Sequence, residues 1–131
     1  MQIVKQLALF LENNPGTLAN LCRALSAAEI NILALSVSDA VDHAVVRIVV
    51  DNTQKTLHLL GEHGVMAVER DVLMLKADNK PGVLAEIADA LAERKVNIEY
   101  AYCASLPGVK HGVVILRVDD PKKAKRVLTG R

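Results

Sequence analysis

Two short stretches carry residue types that could hold a charged small molecule: Asn13-Asn14-Pro15-Gly16-Thr17-Leu18 and Asn79-Lys80-Pro81-Gly82-Val83-Leu84. Glycine has no Cβ, so backbone there can approach a ligand closely and adopt unusual dihedrals. The preceding proline stiffens the turn. Helical spacing begins just after each Pro-Gly pair. The backbone N–H groups of Gly16, Thr17 and Leu18, and of Gly82, Val83 and Leu84, therefore fall at a helix amino terminus, which attracts a carboxylate or phosphate. Asn13, Asn14, Asp78 and Asn79 add side-chain acceptors for an ammonium, or amide donors for a carboxylate. A zwitterionic amino acid suits this mixture. A Pro-Gly turn that merely caps a helix would use the same residues, and chemistry alone leaves both readings open.

Other polar residues carry weaker signals. Asn31 and Asn97 open apolar strands. They either contact the same ligand or supply turn chemistry at a helix-to-strand junction. Arg47 and Arg117 alternate away from the apolar face of their strands, as expected of a side chain that snorkels to solvent or forms an ion pair. Tyr100 and Tyr102 share a strand face, suited to packing or to ligand stacking. His58 and His63 are five residues apart and have no acidic or cysteine partner to complete a metal set. No nucleophile elbow, phosphate-binding loop or catalytic triad order is present. Glu12, Glu29, Glu86 and Glu99 show no pairing suited to acid–base work. The sequence therefore predicts no catalytic residues, cofactor or metal, and a binding protein rather than an enzyme.

The elements that position these residues form a tandem repeat. The two Pro-Gly loops are offset by 66 residues, Pro15 to Pro81, and the offset holds through Leu25/Leu91 and Ile30-Asn31-Ile32/Val96-Asn97-Ile98. It becomes 68 at Val45–Asp51/Val113–Asp119, placing a two-residue insertion at the turn with Leu106-Pro107-Gly108. Each repeat begins with a strand, about Gln6–Leu11 and Val72–Ala77, the first at least partly apolar on both faces. Helices follow with stripes Leu18, Leu21, Cys22, Leu25 and Leu84, Ile87, Ala88, Leu91. Second strands start at Asn31 and Asn97, turns fall at Ala40–Asp42 and Pro107–Gly108, and third strands cover about 43–50 and 111–118. Asp51-Asn52-Thr53 and Asp119-Asp120-Pro121 signal second helices. Val65–Glu69 reads as a fourth strand.

This order, βαββαβ, predicts an α+β fold of two ferredoxin-like modules, residues 1–70 and 71–131, with helices on one face of an antiparallel sheet. The second module stops at Leu128-Thr129-Gly130-Arg131, lacking most or all of its last strand. Either its sheet has three strands, or its open edge is paired by something else; an unprotected edge invites pairing with another chain, an argument for a homodimer. The exposed-face pattern of Tyr100 and Tyr102 against Leu33, Leu35 and Val37 predicts a bulge in one of the two second strands.

Bulk properties narrow the function further. The 131 residues suffice for one ordinary domain or two small ones. Formal charge is +1, which gives no electrostatic case for nucleic acid or a membrane surface. The strands also lack the paired aromatics with which ferredoxin-like sheets bind RNA. Lys122, Lys123, Lys125 and Arg126 read as the solvated face of a helix. Aromatics are 2%, so the core must be aliphatic. Two distant cysteines, no apolar run of membrane-spanning length and no signal-peptide pattern lead to the expectation of a cytoplasmic protein with reduced thiols.

Two modules that each combine an N-x-P-G-x-L or similar loop with a following [IV]-N-I resemble ACT domains along nearly the whole chain. The nearest type is the small free-standing protein made of two tandem ACT domains. Lys5–Asn13 and Asn97–Tyr102 also look like that type. The resemblance implies an amino-acid-binding regulator of amino acid metabolism, with domains paired side by side and ligand at their interface. It nominates Asn13, Asn14, Gly16, Thr17 and Leu18 with Asn97 and Ile98 of a neighbouring domain. It likewise nominates Asp78, Asn79, Gly82, Val83 and Leu84 with Asn31 and Ile32. Family loops often have Asp before x-P-G, where this chain has Asn13 and Asn79. An alternative role is a protein-interaction subunit that docks on an amino-acid-biosynthetic enzyme without a ligand of its own.

Overall fold

The computed structural model of the chain describes residues 1–39 and 43–130. These form β1 (Gln2–Glu12), α1 (Thr17–Ala27), β2 (Ile32–Asp39), β3 (His43–Val50), α2 (Thr53–Glu62), β4 (Ala67–Asp78), α3 (Val83–Glu93), β5 (Ile98–Ala104), β6 (His111–Val118) and α4 (Pro121–Thr129). The turn expected at Ala40–Asp42 lies outside the described residues. The fold class is α+β with two ferredoxin-like repeats, as the sequence pattern predicts.

The chain divides into two compact units. One is Lys5–Arg70; the other is Asp71–Arg131 together with Met1–Val4. In the amino-terminal unit the strand order is β2-β3-β1, with Ala67–Arg70 of β4 at the far side. Leu7, Leu9, Val46, Ile48 and Val50 pack there against Leu21, Leu25 and Leu60 of the helices. In the carboxy-terminal unit the order is β5-β6-β4, with Gln2–Val4 of β1 next to β4. Leu73, Leu75, Val114, Leu116 and Val118 pack against Ile87, Leu91, Ala124 and Leu128. Both cores are aliphatic.

Two strands are longer than their local patterns. The expected fourth strand near 65–69 and the next strand near 72–77 are one continuous β4, because Arg70-Asp71 carries no glycine or proline to break it. Among the described residues no strand follows α4 in the second repeat. Its fourth-strand place is taken by Gln2–Val4, and Ile3 packs on the core of that unit. The edge expected to be open is thus closed by the chain's own first residues.

Helix ends repeat closely. α1 and α3 each finish with a non-glycine residue at positive φ, Glu29 (59°) and Lys95 (60°). The following N–H groups of Ile30 and Val96 reach back to the carbonyls of Leu25 and Leu91, both at 2.9 Å. This is a Schellman closure, and its apolar residue is buried in each copy. α2 and α4 start at Asn52 and Asp120, whose side chains accept from the N–H of Lys55 and Lys123. Lys122, Lys125 and Arg126 lie exposed on α4, opposite buried Ala124 and Leu128.

The second strands correct one expectation. Both carry the register irregularity, between Ile32 and Ala34 and between Ile98 and Tyr100. The backbone pattern is therefore shared, and the residue types have exchanged faces. Tyr100 and Tyr102 sit opposite Arg117 and Ile115, away from the helices. Leu35 and Val37 sit opposite Ile48 and Val46, on the helix-bearing face.

Replacing Ile3 with Lys removes an apolar contact from the carboxy-terminal core alone. We expect a loss of about 1–2 kcal/mol for this half-buried side chain. Amide hydrogen exchange should quicken in Val72–Ala77 and stay unchanged in Val46–Val50. Equal quickening in both strands would contradict the assignment of Met1–Val4 to the carboxy-terminal unit.

Candidate ligand-binding site

Both Pro-Gly loops end on a left-handed glycine that serves as helix N-cap: Gly16 at φ 87° and Gly82 at φ 92°. Neither helix has a side-chain cap bond at its start. A serine or aspartate at that position would accept from the first-turn N–H groups. A left-handed glycine leaves that first turn without a capping side chain and carries the positive end of the helix dipole. Thr17 N–H bonds weakly to Asn14 O at 3.3 Å, and Val83 N–H to Lys80 O at 3.5 Å. Leu18 and Leu84 project from these first turns at 38% and 48% exposure. They are exposed on the helix rather than part of the buried stripe predicted for them.

The asparagines of the two loops have different duties. Asn79 donates its side-chain amide to Leu106 O (3.2 Å) and Val109 O (2.8 Å), and its backbone N–H to Lys110 O (2.8 Å). It ties the β4–α3 loop to the β5–β6 loop. Asp78 lies 3.3 Å from His111 on the adjoining strand. Asn14 donates to Glu12 at 3.0 Å. A positioning role for Asn79, beyond any contact with a ligand, was not visible in the sequence, because its acceptors are backbone carbonyls about thirty residues away.

The carboxy-terminal loop borders a cleft of about 370 Å³ lined by Ala77–Ala85, Cys103, Ser105 and Gly112–Val114. Asp78, Asn79, Gly82, Val83 and Leu84 all line it. Gly112 is required there: a Cβ would lie 1.9 Å from Ser105 Oγ and 2.7 Å from the carbonyl oxygen of Ala104. Cys103, Ser105 and Gly112 were not nominated from sequence. They come from the β5–β6 hairpin, which only the folded register brings to the loop.

Asn31, Ile32, Asn97 and Ile98 do not join the loop of their own unit. They lie past the far end of α1 and α3, and an 11-residue helix spans about 16 Å. Asn31 and Ile32 border an open depression with Cys22 and Glu29. Each asparagine is held by an aspartate at the end of the third strand. Asp51 accepts from Asn31 N–H at 3.0 Å, and Asp119 from Asn97 N–H at 3.0 Å. The reciprocal backbone bonds, Asp51 N–H to Asn31 O and Asp119 N–H to Asn97 O, are both 3.1 Å. The sequence marked these aspartates only as part of helix-start signals. The capping belongs to their neighbours Asn52 and Asp120, and the aspartates clamp the strand starts. Their matched positions in the repeat were the available clue.

Arg117 forms an ion pair within its own unit rather than at an interface, Nε to Glu99 Oε1 at 3.2 Å, and also donates to Asp71 O at 2.8 Å. Among the described residues no group of three or more His, Cys, Asp or Glu could hold a metal. No described helix is long and apolar enough to cross a membrane.

Known proteins can be set beside this geometry. The sequence signature described as an ACT domain pair matches residues 1–131. No curated protein matches the sequence. Protein BT0572 from Bacteroides thetaiotaomicron is 29% identical over 98% of this chain and 88% of its own, with a TM-score of 0.90. The ligand-free regulatory subunit of aspartate kinase from Thermus thermophilus is 21% identical over 99% and 97%, with a TM-score of 0.73. The regulatory subunit of aspartate kinase from Thermus flavus is 23% identical over 96% and 90%, with a TM-score of 0.66. The two Thermus proteins share the fold.

Substituting Asp119 by Ala removes the acceptor that holds Asn97. We expect a loss of about 1–3 kcal/mol in urea unfolding, as for hydrogen bonds to charged groups. Asp51→Ala should cost a similar amount. A loss below about 0.3 kcal/mol in both would show that the clamps do not fix the strand starts.

Proposed function

From the membership of this chain in the ACT domain pair family, we propose that it is an amino-acid-binding regulatory protein of amino acid metabolism, built of two ACT domains at residues 1–70 and 71–131. The observation that carries this reading is the duplicated left-handed glycine N-cap. It exposes helix N–H donors to a carboxylate, beside polar loop residues that suit an ammonium. We assign the ligand to a junction between domains, where the loop of one meets the β2 or β5 start of another. Asn13, Asn14, Gly16, Thr17 and Leu18 would act with Asn97 and Ile98. Asp78, Asn79, Gly82, Val83 and Leu84 would act with Asn31 and Ile32. The helix-length separation of loop and strand start within each unit supports a site shared in this way. Ligand then shifts the balance between domain arrangements by its differential affinity for them. The role is regulatory rather than catalytic, and the two free thiols suit a cytoplasmic setting.

Titration calorimetry against the twenty amino acids tests the proposal, with heat at millimolar concentration or below expected from at least one. Gly82→Ala should weaken that binding about tenfold or more, roughly 1.4 kcal/mol, because a side chain disfavours the left-handed turn. Absence of heat and of any shift in melting temperature for all twenty would sink the sensor reading.

The β2 edge supports a homodimer. Leu35 and Val37 are 38% and 45% exposed on an edge strand with an unpaired backbone side. Leu35→Lys with Val37→Lys should convert a sedimenting dimer to monomer. A wild-type chain that sediments as a monomer would remove the proposal. The same patch favours a second reading, a subunit that docks on an amino-acid-biosynthetic enzyme. A pull-down that recovers only the chain itself, with and without amino acids, would count against that.

A further inference from the structure

The two repeats are not equivalent where the third-strand hairpin faces the Pro-Gly loop. Three positions on the carboxy-terminal cleft hold Ala77, Cys103 and Gly112. The aligned positions of the first repeat hold the bulkier Leu11, Val37 and Ala44. We propose that the carboxy-terminal loop holds an amino acid with a short aliphatic side chain, admitted by the small residues Ala77, Cys103 and Gly112. This rests on the reading of the Pro-Gly loops as amino-acid sites, and adds which loop is used and what it selects.

Size comes first. A cleft of about 370 Å³ is near the lower end of the roughly 300–1,000 Å³ that small-molecule sites occupy, which suits one amino acid rather than a nucleotide. Polarity comes next. The inner wall beyond the loop is Ala77 and Val114, with Val83 from the helix start. None of these can pair with a charged side chain, and stranding a charge against them is costly. Of the charged lining residues, Asp78 already faces His111, and Lys80 is exposed on the loop rather than part of this wall. The wall is therefore complementary to methyl and methylene groups, while the loop and helix start take the zwitterionic end. Gly112 cannot be enlarged without displacing Ser105, so this part of the cleft keeps its size through packing.

Cys103 lies on the cleft and is exposed, which makes it a reporter of occupancy. In the full chain carrying Cys22→Ser, the rate of Cys103 modification by dithionitrobenzoate should fall at least fivefold with one or more of alanine, valine, leucine and isoleucine. Lysine, aspartate and phenylalanine should leave it unchanged. Ala77→Leu, which restores the bulk of the first repeat, should abolish the protection. Ser105→Phe fills the cleft from an exposed position over Gly112 and should do the same if Ala77→Leu does not fold. Protection by a charged or aromatic amino acid alone would overturn the aliphatic assignment and leave the sensor reading intact. Calorimetric heat from any amino acid without protection of Cys103 would move the site elsewhere. No heat and no protection with any of the twenty would overturn both.

Discussion

The left-handed conformation at Gly16 and Gly82 is the constraint on which the arrangement of each unit depends. A strand must end, reverse and become a helix within four residues, Asn13–Gly16 or Asn79–Gly82. Proline fixes the first part of that reversal, and glycine takes the positive φ that an L side chain resists. The geometry sets the direction in which α1 or α3 crosses the sheet, and therefore which helix positions meet the core. Leu21 and Leu25, and Ile87 and Leu91, fall inward by helical spacing from that start. The same glycine displaces the capping side chain that most helices carry. The turn that builds the unit therefore also leaves its helix start without a side-chain cap bond.

At the opposite end of each helix the logic is reversed. The donors and acceptors there are satisfied within the chain, by the Schellman bonds after Ala27 and Glu93 and by the aspartate clamps on Asn31 and Asn97. Glu29 and Lys95 accept a positive φ without being glycine, a strain of about 1 kcal/mol that the flanking apolar anchors Ile30 and Val96 hold in place. One end of the helix is rigidly closed and the other is available.

Local signals made much of this legible from sequence. Pro-Gly pairs, Asn52 and Asp120 as caps, and the alternating strands each act through residues next to one another, so they survive in a linear reading. What escaped depends on distant pairing. Asn79 is satisfied by carbonyls of Leu106 and Val109, and Asp119 by Asn97, across separations that no periodicity encodes. The shared bulge in β2 and β5 escaped for a related reason. Leu33, Leu35 and Val37 suggested a register different from that of Tyr100 and Tyr102, although the backbone irregularity is common to both. Side-chain type follows what each face meets, and on an edge strand that is only weakly set by the core.

The fourth strands show how far the duplication has been reshaped. In the amino-terminal unit the fourth strand is the start of β4 and follows its own helix directly; in the carboxy-terminal unit it is Gln2–Val4, at the other end of the sequence. β4 runs without interruption through Arg70-Asp71, because neither residue breaks a strand. The consequence is that neither the first residues nor the repeat boundary is a simple linker. Gln2–Val4 and Ala67–Arg70 each lie within a strand that continues into sequence of the other unit. A change in either segment therefore reaches a folded core directly.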